Sequence, residues 1–90
     1  MKQFEPNTNK KNLKRIDWDI VKTIMKVLYH ESKAKKTKIA MRSGISYENC
    51  ILYLNWLEML DMIQREFDEN KSESIRLTEH GRDLYTRKLQ

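Results

Sequence analysis

Hydrophobic residues recur with a helical period over the first part of the folded chain. Asp17 is suited to an N-cap, and the apolar positions after it are spaced as in an amphipathic helix of about four turns. These positions are Trp18, Ile20, Val21, Ile24, Met25, Val27 and Leu28. Because they cover an arc of roughly 200°, wider than one packing face requires, we expect the helix to contact two neighbouring elements.

A short helical segment and a glycine come next. Thr37 is suited to cap a helix that runs from Lys38 to Ser43. Gly44 then provides the left-handed residue that commonly ends a helix, since glycine adopts a positive φ without steric cost. The sequence therefore predicts a tight turn at residue 44.

A longer helix is predicted directly after this turn. Ser46 is suited to cap it by accepting a hydrogen bond from the backbone N–H of Asn49, and Glu48 places a negative charge in the first turn, which the helix dipole favours. The apolar spacing continues to about Leu60. Two helices joined by a tight, glycine-containing turn form a helix-turn-helix unit.

Apolar and polar residues alternate with a period of two in the segment that follows. Residues 62–67 and 73–77 both alternate, and the polar stretch 68–72 between them is typical of a turn, so we predict a β-hairpin. Thr78 is suited to cap a last helix that extends to about Lys88. The expected fold is mainly α with a small β-hairpin, a winged helix-turn-helix with a three-helix core, a wing and a closing C-terminal helix.

The N-terminal segment lacks any apolar period. It contains Pro6 and is rich in Asn and Lys, which indicates a flexible basic arm over residues 1–15 and one folded domain over residues 16–90. The 90 residues of the chain are too few for a second folded unit beside this domain.

Charge is segregated along the chain, whose formal net charge is +5. Residues 1–15 and 31–42 each hold five Lys and Arg against one Glu, a net charge of +4. Residues 43–70 hold one Arg against six Asp and Glu, a net charge of −5. This distribution favours binding of a polyanion on one side of the molecule; a solvated, lysine-rich surface is the alternative.

Residues suited to catalysis or metal binding are few. Cys50 is the only cysteine, so an intrachain disulfide is impossible and a reducing compartment is expected. His30 and His80 lie far apart in sequence, and no two residues have metal-ligand spacing such as C-x-x-C. We therefore expect no enzymatic activity, no cofactor, no metal and no small-molecule ligand.

Three segments resemble those of winged helix-turn-helix DNA-binding proteins, in particular the small archaeal proteins with chromatin or regulatory roles. They are residues 38–63 (KIAMRSGISYENCILYLNWLEMLDMI), the predicted hairpin, and residues 76–85 (RLTEHGRDLY). The last segment is similar to the Leu-Thr-x-x-Gly-x-x-Leu signature with which the second wing strand enters the closing helix in many such proteins. The resemblance implies a homodimer that binds double-stranded DNA as a transcription regulator or chromatin-associated factor.

Candidate DNA contacts lie at the start of the longer helix and on its basic flanks, where phosphates and base edges would be reached. They are Lys14, Arg15, Lys36, Lys38, Arg42, Ser46, Tyr47, Asn49, Tyr53 and Lys71. The amide of Asn49 is suited to pair with adenine in a bidentate manner. Each lysine taken alone has the alternative of a solvated surface residue.

The longer helix also carries a second apolar stripe, formed by Leu52, Trp56 and Met59 on the side opposite the predicted core arc. The predicted core arc consists of Cys50, Ile51, Leu54 and Leu57. The stripe could be covered by the wing, arm or closing helix of the same chain, by a protein partner such as a second copy, or by DNA. Its residues are candidate interface residues, and a winged-helix protein-interaction module is the alternative function.

No apolar run reaches the roughly 18 residues of a membrane helix, and the first thirty residues lack the apolar core of a signal peptide. We therefore expect a cytoplasmic, nucleoid-associated protein that has no membrane partner.

Overall fold

The computed structural model describes residues 15–89 of the chain. Lys14 and nearly all of the predicted basic arm lie outside these described residues. The elements in chain order are α1 (Trp18–Glu31), α2 (Lys36–Ser43), α3 (Tyr47–Met59), β1 (Ile63–Phe67), β2 (Glu73–Leu77), α4 (Glu79–Leu84) and a π-helical turn (Tyr85–Leu89). This order confirms the mainly helical fold with one antiparallel hairpin.

Helix α1 begins as its sequence predicts. The side chain of Asp17 accepts a hydrogen bond of 3.0 Å from the backbone N–H of Asp19, so the N-cap is confirmed. The residues buried on α1 are Val21, Ile24, Met25 and Leu28. The helix packs against α2, β2 and the π-helical turn, which agrees with its wide apolar arc.

Helix α2 begins earlier than its sequence predicts. It starts at Lys36, and Lys35 occupies the N-cap without a side-chain hydrogen bond, so the prediction that Thr37 caps this helix is wrong. The cause is a tertiary contact: Ala34 forms a β-bridge with Ile75, donating its N–H to the Ile75 oxygen at 2.9 Å and accepting from the Ile75 N–H at 2.8 Å. This bridge fixes where the chain can turn into the helix.

The turn between α2 and α3 has the predicted geometry. Gly44 has φ 69°, in the left-handed region, and its N–H bonds the carbonyls of Ala40 and Met41. Ser46 Oγ accepts a hydrogen bond of 3.1 Å from the N–H of Asn49, which confirms the cap of α3.

The inward face of α3 differs in one position from the predicted core arc. Cys50, Leu54 and Leu57 are buried as expected, but the fourth buried residue is Tyr53, whereas Ile51 is only half-buried. The arc is therefore rotated toward Tyr53, whose hydroxyl accepts a hydrogen bond from the backbone N–H of Asp17 at the start of α1.

The wing is the hairpin β1–β2, in which Ile63 pairs with Leu77 and Arg65 pairs with Ile75. Ile63, Ile75 and Leu77 are buried in the core, so one face of the hairpin closes the helical unit. In the turn, Asp68 Oδ1 accepts from the N–H groups of Asn70 and Ser72 at 2.8 and 2.9 Å.

The signature segment after the wing is explained by a close backbone approach. Thr78 Oγ1 accepts a hydrogen bond of 2.9 Å from the N–H of Gly81 and caps α4 as predicted. A Cβ atom at Gly81 would lie 2.0 Å from the carbonyl oxygen of Met62, so no other residue fits here without movement of the backbone. The closing helix is α-helical only to Leu84, and the π-helical turn completes it.

Candidate nucleic-acid interface

The first turn of α3 is exposed beside the Gly44 turn. Ser46, Tyr47 and Asn49 all face solvent, and Tyr47 is 51% exposed. Helix α3 contains no Lys or Arg and carries Glu48 and Glu58. Its surface therefore offers hydrogen-bonding groups at the N-terminal end but no positive charge of its own.

Tyr53 lies in the protein interior, which corrects its assignment as a DNA contact. It is 4% exposed, and its hydroxyl accepts a hydrogen bond of 2.9 Å from the backbone N–H of Asp17. The tyrosine thus anchors the N-terminus of α1 on α3, and its ring is unavailable to a nucleic acid.

Two predicted basic contacts on α2 share one carboxylate. Lys38 Nζ lies 3.0 Å from Glu31 Oε1, and Arg42 Nη1 lies 3.0 Å from Glu31 Oε2. The hydrogen bond from Lys38 is the main cause that holds the pKa of the Glu31 carboxyl below its ordinary value, and the charge of Arg42 adds to it. The Glu31 carboxyl is therefore ionised over the physiological range.

The third basic residue of α2 points toward the wing. Lys36 Nζ lies 2.7 Å from Glu73 Oε1 on β2, and both side chains are about three-quarters buried. Lys36 thus has an intramolecular partner in another element, which the sequence alone did not suggest.

Arg65 on β1 connects the wing to α3. Its guanidinium donates at 2.9 Å to Glu58 Oε1, at 2.9 Å to Glu73 Oε2 and at 3.0 Å to Asn55 Oδ1. Hydrogen bonds from Lys36 and then Arg65 hold the pKa of the Glu73 carboxyl below its ordinary value. Together these contacts form an ionic network through α2, both wing strands and α3, defined by Lys36, Asn55, Glu58, Arg65 and Glu73.

This network was not among the features predicted from the sequence. A signal for it was present, because Arg65 is the one basic residue of the acidic segment 43–70 and shares the inward parity of β1 with Ile63. An inward-facing arginine on a short strand needs carboxylate or amide partners.

The remaining basic candidates are surface residues. Arg15 and Lys71 are exposed, and Lys71 sits in the wing turn with φ 64°. Lys35, which precedes α2, donates a hydrogen bond to the hydroxyl of Ser72 in the same turn.

The apolar stripe is partly covered by an element that the sequence did not suggest. Trp18, the first residue of α1, packs edge-on against Trp56 with ring centroids 5.8 Å apart. Trp56 and Leu52 are half-buried, whereas Met59 is 81% exposed and Trp18 itself remains 60% exposed. A patch of exposed apolar surface therefore remains around Trp18 and Met59.

Cys50 is a structural residue of the core. Burial raises the pKa of its thiol to about 11, and Sγ lies 3.8 Å from the carbonyl oxygen of Lys36. Within residues 15–89, no group of three His, Cys, Asp or Glu side chains is arranged to hold a metal ion. Over the same range, none of the helices has the length and apolar character needed to cross a bilayer.

Comparison with known proteins identifies the architecture. A family model described as winged helix-turn-helix matches residues 14–89. The chain belongs to this winged helix-turn-helix family. None of the curated protein sequences compared with it gives a match.

Several solved structures share the fold of this chain. A MarR-family transcriptional regulator from Silicibacter pomeroyi superposes with a TM-score of 0.69 at 19% identity, over 77% of this chain and 47% of that one. NadR in complex with 4-hydroxyphenylacetate gives 0.72 at 21% identity, over 76% and 50%. Overoxidized AbfR bound to DNA gives 0.66 at 19% identity, over 79% and 53%. The chain spans about half the length of these proteins.

Proposed function

We propose that this winged helix-turn-helix domain binds double-stranded DNA and acts as a transcription regulator. The observation that carries the proposal is the exposed first turn of α3, where Ser46, Tyr47 and Asn49 stand free of the core beside a lysine-rich helix. One structural neighbour, AbfR, was solved bound to DNA, which supports the same use of the fold.

The charge distribution indicates how the contacts would be divided. Because α3 has no basic residue, phosphate binding falls to the flanking elements: Arg15, Lys36, Lys38, Arg42 and Lys71, with Lys14 from the segment before α1. Asn49 is the side chain best suited to a base edge, where its amide would recognise adenine. Affinity would then depend mainly on phosphates, with modest sequence preference.

Binding that depends mainly on phosphates suits a chromatin-associated or nucleoid-associated role in the cytoplasm as well as regulation at a specific operator. We propose a homodimer, since the exposed Trp18 and Met59 beside the half-buried Leu52 and Trp56 form an apolar surface that a second copy would cover.

A titration of random and genomic duplexes at several salt concentrations tests the function. We expect the logarithm of the binding constant to fall linearly with the logarithm of salt, with a slope of about −0.9 for each neutralised phosphate. Sedimentation of the free protein in parallel reports whether it is a dimer. Absence of binding, or binding that is insensitive to salt, contradicts the proposal.

The exposed apolar patch favours one second candidate, a protein-interaction module in which the positive charge serves only solubility. Met59 is the most exposed large apolar side chain of α3, at 81%. A module of this kind would form complexes that depend on Met59 and are indifferent to the basic residues of α2.

A further inference from the structure

Glu31 is placed where a carboxylate is electrostatically unfavourable by itself. It is the last residue of α1, and the C-terminal end of a helix carries partial negative charge. Its carboxylate is held there by two cations from consecutive turns of α2, with Lys38 on one oxygen and Arg42 on the other, both at 3.0 Å. The local cost is thus offset by a two-cation clamp.

The clamp has the form of a phosphate site. A DNA phosphodiester also presents two non-bridging oxygens that share one negative charge, and an Arg beside a Lys is a common receptor for it. A groove of about 240 Å³ between α1 and α2 is lined by Glu31 and Arg42 of the clamp and also by Lys26, which adds positive charge near the carboxylate.

Exposure separates this clamp from the ionic network of the wing. The side chains of Lys38 and Arg42 are 41% and 51% exposed, whereas those of Lys36 and Arg65 are 21% and 25% exposed. Lys36 and Arg65 also join different elements of the fold, so breaking their contacts would loosen the wing. Lys38 and Arg42 are accessible and can change partner without disturbing the core.

We infer that Glu31 is an intramolecular competitor for DNA phosphate at Lys38 and Arg42, so that DNA binding exchanges the carboxylate for a backbone phosphate. The inference rests on the proposed DNA binding and assigns a residue that lowers its affinity. Each DNA contact at this site replaces an existing ion pair, so the net gain is smaller than two free cations would give.

The test compares Glu31→Gln with the wild-type protein on one duplex at a fixed, near-physiological salt concentration. Glutamine keeps the length of the side chain but removes the charge, and two exposed ion pairs correspond to roughly threefold to tenfold tighter binding once they no longer compete. The matched control is Asp83→Asn, which removes the carboxylate from the exposed Asp83–Arg87 pair of the C-terminal segment. This control should leave the affinity unchanged.

A double-mutant cycle separates competition from a general charge effect. In a Lys38→Ala/Arg42→Ala background, Glu31→Gln should give no gain, because the site for which Glu31 competes is gone. Urea unfolding of each variant establishes that the proteins compared are folded.

Two results would overturn the inference while leaving the proposed function intact: wild-type affinity in Glu31→Gln, or a gain that persists in the background without Lys38 and Arg42. If no variant binds the duplex, both the inference and the proposed DNA binding fail.

Discussion

The guanidinium of Arg65 lies 2.9 Å from the carboxylate of Glu73 on the neighbouring wing strand, and the second oxygen of that carboxylate lies 2.7 Å from Lys36. One carboxylate therefore joins the wing to the first helix of the helix-turn-helix, while Arg65 continues to Glu58 and Asn55 on α3. The orientation of the wing relative to α3 is set by these partly buried polar contacts and by the buried apolar residues Ile63, Ile75 and Leu77.

Replacing Arg65 by Ala should destabilise the domain by about 1 to 2 kcal/mol, because three partners lose a charge-assisted donor at a partly buried site. Arg65→Lys should recover only part of this loss, since an ammonium group cannot bond three partners in the plane of a guanidinium. Urea unfolding measures both effects. Arg87→Ala, which breaks an exposed ion pair, is the control and should change stability by less than about 0.5 kcal/mol.

We expect the folded protein to lose stability in acid as the Glu73 carboxyl becomes protonated. Its pKa in the folded protein lies below the ordinary value of 4.5, so its contribution is present above that pH and is lost as the pH falls through the folded pKa. The pKa is also lowered for the carboxyls of Glu31, Glu66 and Asp68. Their contributions to the stability of the fold are therefore lost in acid as well. The protein should therefore become less stable below about pH 4.5.

Urea unfolding between pH 7 and pH 3 checks this prediction. Glu73→Gln should be less stable than the wild-type protein at pH 7, and the difference should shrink as the pH is lowered. An equal difference at every pH would show that Glu73 does not contribute through its charge.

We expect substitution of Gly81 by Ala to cost more stability than substitution of Gly44 by Ala. Gly81→Ala places a methyl group 2.0 Å from the Met62 carbonyl oxygen, so we expect a loss of about 2 kcal/mol or more. Gly44→Ala meets no atom within 4 Å but must keep φ near 69°, which costs about 1 kcal/mol. Denaturation midpoints of the two variants give the comparison. A larger loss at Gly44 than at Gly81 would contradict the close approach at Met62.

The basic residues of α2 and the apolar patch discriminate between the two candidate functions. For a DNA-binding protein, Lys38→Ala/Arg42→Ala should weaken duplex binding and reduce the magnitude of the salt slope by up to about 0.9 per lost phosphate contact, whereas Met59→Ala should leave the salt slope unchanged. For a protein-interaction module, complex formation should depend on Met59 and should not change when the basic residues of α2 are replaced.

Duplex titration together with sedimentation measures both properties. Tyr53→Phe is the control: it removes the buried hydrogen bond to Asp17, at a cost of about 1 kcal/mol of stability, and should leave the duplex affinity of the folded protein unchanged. A specific loss of affinity in this variant would restore Tyr53 as a DNA contact.

Local features of the fold followed from the sequence because their hydrogen bonds join residues close together in the chain. The caps of Asp17, Ser46 and Thr78 bond backbone N–H groups two or three positions ahead, and the left-handed Gly44 needs only the carbonyls of the preceding turn. The alternation of the wing strands is likewise a local pattern.

The candidate site could be anticipated only in part. The exposure of Ser46, Tyr47 and Asn49 follows from their position in the first turn of α3. The family signature was recognisable because Thr78 and the glycine three residues later are local features of the sequence. Whether these residues contact DNA stays a prediction. The prediction that Ile51 rather than Tyr53 belongs to the core was wrong. A helical wheel describes one helix alone and does not show that the start of α1 contacts Tyr53.

The sequence by itself thus determined the order of the elements, the caps of α1, α3 and α4, and the Gly44 turn, because these features depend on neighbours within about one helical turn. Only the tertiary structure decided that α2 begins at the Ala34–Ile75 bridge, that Trp18 covers Trp56, and that Glu31 holds two basic residues of α2. The physical reason is that each of these contacts joins residues on different elements, and their side-chain positions depend on how the whole chain packs.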